Sequence, residues 1–173
     1  MAEKREMAAK KVRTFEFVER KLRQKTFGVL TTLGTNGFPH ATGIIYAVGP
    51  PGEEFCAYFL TYRRYQKVHN VEANPRAALL VPFPHHVLRF VPSSCVSFQG
   101  TVDVLDVDDP VGRAAFSGNR ILAMNLEQVG AMAEPCFLRL RPTGRVHVYG
   151  LGISAWELKK NPAAGAYSVE VPR

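Results

Sequence analysis

Turn-forming residues recur between short apolar runs along most of this chain, and that spacing constrains the fold more than any other feature. Thr35-Asn36-Gly37, Gly49-Pro50-Pro51-Gly52, Asn74-Pro75 and Pro142-Thr143-Gly144 punctuate runs that are short for helices and rich in β-branched and aromatic residues. Asn-Gly supplies the positive φ of a tight hairpin. The runs read as strands at Phe27–Leu33, from Pro39 to about Val48, at Phe55–Thr61, at Arg76–Val81 and at Cys95–Val107, the last with a bend or bulge at Gly100. A final strand pair is expected around Phe137–Leu140 and Val146–Tyr149, interrupted at Pro142-Thr143-Gly144.

Helical periodicity is confined to a few places. Ala8, Val12, Phe15, Val18 and Leu22 step by three and four, which puts one apolar stripe on an opening helix over roughly residues 3–25. A short helix is expected over Tyr65–Ala73, stopped by Asn74-Pro75 because the residue before proline avoids the α region. Asp108-Asp109-Pro110 starts a second helical region that reaches about Met132, with a break at Ser117-Gly118-Asn119. Pro82, Pro84 and Pro92 bracket a loop holding His85 and His86, and residues 152–173 form a tail to which the pattern assigns little. Six or so strands, with helices only at the start, in one crossover and before the last strands, indicate a mainly β (α+β) chain. The expected architecture is a closed antiparallel barrel with flanking helices, in a single domain over residues 1–173.

Composition narrows the class. A chain of 173 residues that is 46% hydrophobic and 21% charged can bury one core, and wholesale disorder is excluded. No apolar run approaches the roughly 18 residues of a membrane-spanning helix, and Met1-Ala2-Glu3-Lys4-Arg5-Glu6 lacks a signal peptide's apolar stretch. A soluble, cytoplasmic protein without a membrane partner is expected. Cys56, Cys95 and Cys136 stand singly and read as reduced thiols. The net charge of +7 is local, because residues 1–25 hold nine Lys/Arg against four Glu while the remainder hold thirteen against eleven. The basic helix is therefore read as a solvated polar face, not as a nucleic-acid surface. There is no G-x-G-x-x-G, no Walker loop, no nucleophile elbow and no H-E-x-x-H, and the five histidines have no cysteine partners at metal-ligand spacing.

Chemistry concentrates in Phe59-Leu60-Thr61-Tyr62-Arg63-Arg64-Tyr65-Gln66-Lys67-Val68-His69-Asn70. A strand ends at Thr61 and a helix begins within about four residues, so unpaired N–H groups and a positive dipole end meet a hydroxyl, two guanidiniums and an ammonium. That combination is an anion site. Charge-assisted hydrogen bonds are worth roughly 1.5–3 kcal/mol each, so three or four of them would hold a phosphate firmly.

The runs Phe27-Gly28-Val29-Leu30-Thr31-Thr32-Leu33, Asn36-Gly37-Phe38-Pro39-His40, Phe59-Leu60-Thr61, Lys67-Val68-His69-Asn70-Val71 and Asn74-Pro75-Arg76-Ala77-Ala78-Leu79-Leu80-Val81 come in the order and spacing of a known pattern. The chain resembles the pyridoxamine 5'-phosphate oxidase-like family of flavin-binding split barrels over roughly residues 12–107, with Gly144–Leu151 like the closing strand of some members. The resemblance implies a six-stranded antiparallel Greek-key split β-barrel that dimerises with FMN at the subunit interface. It implies Thr61 and Lys67 on the cofactor phosphate, next to Leu60, with Gln66 where arginine is frequent and Arg63 or Arg64 as substitutes for that arginine. His40, Ala41, Thr42, Gly43 and Ile44 would run under the isoalloxazine ring, Gly43 giving it room. Cys95 and Ser97 would approach the ring from the partner subunit. Trp156 is read as an anchor in the core.

The implied activity is that of an oxidoreductase passing hydride through flavin N5 to or from a small molecule, with no catalytic side chain named. The tail Ala166–Arg173 does not match the arginine- and tryptophan-containing segment of true pyridoxamine 5'-phosphate oxidases, so the resemblance does not imply vitamin B6 oxidation. A deazaflavin (coenzyme F-420)-dependent reductase is the enzymatic alternative, with Arg63, Arg64 and Arg89 as candidates for its acidic tail and His147-Val148-Tyr149-Gly150-Leu151 resembling such relatives. A non-catalytic flavin- or haem-binding protein is the other, with His85-His86 as candidate haem ligands.

Overall fold

The computed structural model describes residues 13–84, 93–129 and 134–172. Thr14 caps Phe15–Arg23 (α1), whose Phe15, Val18 and Leu22 form the expected buried stripe; Ala8 and Val12 lie outside the described residues. Phe27–Leu33 (β1) and Pro39–Ile45 (β2) then make a hairpin in which Gly37 takes φ +80°. The second strand does not run unbroken to Val48. Tyr46 turns its ring into the core and donates its hydroxyl to the Leu22 carbonyl at 2.8 Å, after which Ala47–Val48 (β3) changes partner and pairs with Ala57–Tyr62 (β4).

Gln66–Ala73 (α2) ends before Pro75, and Arg76–Phe83 (β5) follows. β5 continues past Val81 through Pro82, because its pairing with β1 stops at Leu80 and leaves that side of the proline without a ladder bond to make. The loop with His85, His86 and Arg89 lies outside the described residues. In Ser94–Asp106 (β6) the register slips between Phe98 and Gly100, where a Cβ on Gly100 would lie 1.9 Å from the Arg141 carbonyl oxygen. That slip carries Pro135–Tyr149 (β7) past Pro142 as one continuous strand, where an interruption was expected. Asp109 and Asn119 cap Pro110–Ser117 (α3) and Arg120–Gln128 (α4), which break where the sequence indicated. The tail holds Ala155–Lys160 (α5), a 3-10 turn at Pro162–Gly165, and Ala166–Glu170 (β8), which pairs with the second half of β7.

The strand order is β2-β1-β5-β6-β7-β4-β3, with β8 added on β7. The sheet curls until β2 approaches β4, giving the expected split barrel of six main strands with β3 and β8 as short additions. The main core joins Leu22, Leu30, Phe59, Val68, Phe98 and Leu138 inside the curl, and a second cluster of Tyr58, Phe116, Leu122 and Phe137 lies beneath α3 and α4. No helix among the described residues is long and apolar enough to cross a membrane.

Candidate functional site

Strand alternation decides which side chains meet where β2 approaches β4. His40, Thr42 and Ile44 share one face of β2, and Ile44 belongs to the main core, so this face looks into the curl; Ala41 and Gly43 face outward. On β4, Thr61 is 4% exposed and follows Phe59 on the core side, whereas Leu60 packs into the cluster beneath α3 and α4. Thr61 therefore brings its hydroxyl to the inner side, and Leu60 has only its main chain to offer there.

Tyr62, Arg63, Arg64 and Tyr65 connect β4 to α2. The Arg63 N–H bonds the Glu134 carbonyl at 2.9 Å and its guanidinium holds Asp106 at 2.9 Å, so this arginine already has an anionic partner. Arg64 lies over the rings of Tyr62 and Tyr65 at 5.9 and 5.6 Å, and the Lys67 ammonium is 4.6 Å from the Tyr65 centroid. Among the described residues no carboxylate comes within ion-pair distance of Arg64 or Lys67. Burial lowers the pKa of the Lys67 ammonium, against smaller opposing pulls from Tyr65 and Cys136. Burial raises the Cys136 thiol, with Arg63 and Lys67 pulling the other way. Among the described α-helices α2 alone lacks a side-chain N-cap, Tyr65 offering no acceptor to its first N–H groups. A half-buried cation, a hydroxyl and an uncapped helix start thus meet at one corner of the curl.

Behind this corner runs a chain of hydrogen bonds that the sequence did not reveal. Gln66 Nε2 donates to Asn70 Oδ1 at 2.9 Å, and Asn70 Nδ2 donates to Thr32 Oγ1 at 3.0 Å, with Asn70 fully buried. The only hint was a polar residue between Val68 and Val71 on the buried side of a short helix. Across from Thr32 in the hairpin stands His40. Its Nδ1 and the Thr42 Oγ1 are shielded from water and have no hydrogen-bond partner, at a cost of roughly 1–3 kcal/mol each. Two unmet polar atoms two residues apart on one strand face suit a flat ligand with a polar edge, and the cationic corner suits a phosphate ester. The residues present fit FMN.

Other expected residues face away from the inside of the curl. A Cβ on Gly43 would touch the Phe27 ring at 3.0 Å, so the space over this glycine is taken by Phe27. Cys95 and Ser97 are on the outward face of β6, in register with Pro82 and Leu80. Phe27 and Leu80, 52% and 40% exposed, belong to that same outward face. Trp156 is no core anchor: it is 67% exposed on α5, with the Lys160 ammonium 5.2 Å from its ring. Among the described residues no three His, Cys, Asp or Glu side chains converge as a metal site would require.

A sequence profile of the pyridoxamine 5'-phosphate oxidase family matches residues 15–148. No curated protein matches the chain. Among solved structures, the haem storage protein HutZ of Vibrio cholerae is similar with a TM-score of 0.64 at 15% identity, over 78% of this chain and 94% of its own. A haem-binding protein of Mycobacterium smegmatis has a TM-score of 0.63 at 18% identity, over 84% of this chain and 53% of its own. A Listeria innocua protein provisionally assigned as a pyridoxamine 5'-phosphate oxidase has a TM-score of 0.53 at 17% identity, over 77% of this chain and 95% of its own. At these identities the likeness is one of fold.

Proposed function

This chain belongs to the pyridoxamine 5'-phosphate oxidase family, and on that premise we propose that it binds FMN where β2, β4 and the start of α2 meet and works as a flavin-dependent oxidoreductase. The observations that carry the reading are a half-buried lysine with no carboxylate near it among the described residues and a buried threonine hydroxyl at the β4–α2 corner, together with two unpartnered polar atoms on the face of β2 that looks into the same curl. When bound, FMN supplies hydride transfer at N5. Lys67 and Thr61 hold the phosphate, Tyr65 keeps the ammonium in place from its far side, and Asn70 fixes the pitch of α2 against β1. His40 and Thr42 meet the polar edge of the ring, while Ile44 and the core behind it exclude water.

The proposed partner is a second copy of the chain, docked on the outward face that carries Phe27, Ala41, Leu80, Cys95 and Ser97, with Arg76 at its edge. Exposed Phe27 and Leu80 side by side on a sheet face suit an interaction surface. Docking there also gives Cys95 and Ser97 a route to a cofactor held by the other subunit. Haem is the second reading for the same fold, favoured by the haem proteins among the structural neighbours. An iron would need an axial ligand.

The test is a fluorescence titration of the purified chain with FMN and with riboflavin, together with a visible spectrum. Saturable quenching by FMN, much weaker quenching by riboflavin, and reduction by NAD(P)H with reoxidation faster than free flavin support the reading. No quenching by FMN, or a Soret band that persists after FMN is added in excess, refutes it.

A further inference from the structure

We propose that this chain has a second small-molecule site, apart from the corner assigned to FMN: a hollow on the outward face of the sheet that takes a small organic acid, with Arg76 holding its carboxylate. This site would bind its ligand whether or not FMN occupies that corner. Strand alternation places Arg76, Ala78 and Leu80 of β5 on the outward face. Ala78 pairs with Thr31 of β1 on one side and with Gln99 of β6 on the other, so a single methyl group stands among the longer side chains of Arg76, Leu80 and Gln99. Over it lies a cavity of about 500 Å³, within the roughly 300–1,000 Å³ that small-molecule sites occupy. Leu33 and Pro39 line it on the β1–β2 side, and Thr101 and Thr143 on the β6–β7 side. The register slip brings Thr143 to that rim, where its hydroxyl donates to the Gln99 carbonyl at 3.3 Å.

The charge in the hollow sets the class of ligand. Among the described residues that line it, Arg76 alone is charged. Its main-chain N–H donates to the Asn74 side-chain oxygen at 3.1 Å, which fixes where β5 begins. Its guanidinium has no carboxylate within ion-pair distance among the described residues, because the acids close by in sequence or register are taken. Glu72 near the end of α2 faces His69 at 3.6 Å. Asp103, two residues past the Thr101 that pairs with Arg76, is held by Arg139 and Arg141 at 2.9 and 3.0 Å. An unpaired guanidinium beside threonine hydroxyls suits an anion, and its planar fork matches a carboxylate with two parallel hydrogen bonds. Every lining residue is in a strand, so no helix start adds to the single cation, and one charge suits a monocarboxylate better than a phosphate dianion. Leu33, Pro39, Ala78 and the threonine methyl groups suit an apolar body on that acid.

The experiment follows backbone amides of the isotope-labelled full chain by two-dimensional NMR, with benzoate as the probe acid and benzamide as its uncharged isostere. Benzoate should shift the amides of Thr31, Ala78, Gln99 and Thr101 saturably, and benzamide should bind about tenfold more weakly, the worth of one charge-assisted bond. Arg76→Gln should weaken benzoate by about the same factor and leave benzamide unchanged, while Arg76→Lys, which keeps the charge without the fork, should fall between. Ala78→Leu fills the hollow and should abolish binding of both probes. Arg76 is exposed at the first residue of its strand, so its variants keep the fold, and the spread of the amide signals reports this directly. Absence of any shift, equal affinity for acid and amide, or benzoate binding that survives Arg76→Gln overturns the proposal. Amides of the hollow that move on dilution of the protein but not with benzoate would assign it to a second copy of the chain and overturn the proposal as well.

Discussion

The bridge from α2 to β1 can be tested without any ligand. Asn70 is fully buried and Thr32 is 1% exposed, and one 3.0 Å hydrogen bond joins them. Thr32→Val leaves the Asn70 amide without its acceptor, and Asn70→Leu leaves both the Thr32 hydroxyl and the Gln66 amide without a partner. Each single replacement strands a buried polar group and should cost about 1–3 kcal/mol. In a domain of this size each kcal/mol lowers Tm by roughly 2–4 °C. The double variant places two apolar side chains where two polar ones met, and exchanging both partners is far cheaper than removing one. Its loss should therefore fall at least about 1 kcal/mol short of the sum of the singles. Urea unfolding of the four proteins closes the cycle. Additivity within about 0.5 kcal/mol, the behaviour of independent sites, would show that this hydrogen bond does not tie the helix to the strand.

Three further outcomes are expected. Lys67→Ala should weaken FMN by roughly 1.5–3 kcal/mol in a fluorescence titration and leave riboflavin unchanged; equal losses for both would move the phosphate elsewhere. Gly100→Ala puts a methyl group 1.9 Å from the Arg141 carbonyl oxygen, so β6 and β7 must part at the bulge; the cost, read by thermal melting, should be at least about 1–3 kcal/mol, as in an overpacked core, and an unchanged Tm would contradict the close approach. Burial pushes the Cys56 thiol up to about 11, so the folded chain keeps this proton where the unfolded chain releases it. This thiol's share of the stability should then be lost as pH rises from about 8.5 towards about 11, amounting to roughly 2–3 kcal/mol, and Cys56→Ala should remove that share from the decline in urea midpoints taken across the range.

Where local chemistry fixes the backbone, the sequence was legible. Asn36-Gly37 marks the first hairpin, Asn74-Pro75 ends α2, and Asp109 and Asn119 start the two crossover helices at the positions their capping side chains require. Gly100 was readable as a bulge because a glycine inside a strand signals a close backbone approach. Partner exchange was not legible. Nothing in Ile45-Tyr46-Ala47 says that the strand leaves β1 for β4, since the turn depends on a tyrosine hydroxyl finding a carbonyl 24 residues away. β8 escaped for a similar reason, because Ala166–Glu170 is a strand only through its bonds to β7. At the site, residue types indicated an anion, but not that Asp106 already occupies Arg63 or that Phe27 covers Gly43, both contacts between distant stretches.

The short strand β8 has a consequence for the whole molecule. Its five rungs cover the stretch of β7 from Arg145 to Tyr149, and the rim it presents instead carries Ser168 and a Glu170 tied to Arg145 at 2.9 Å. A chain trimmed before Ala166 would bare those rungs beside Val146 and Val148, an open template for any passing strand. The last few residues act as a selvedge, keeping the weave from fraying into its neighbours.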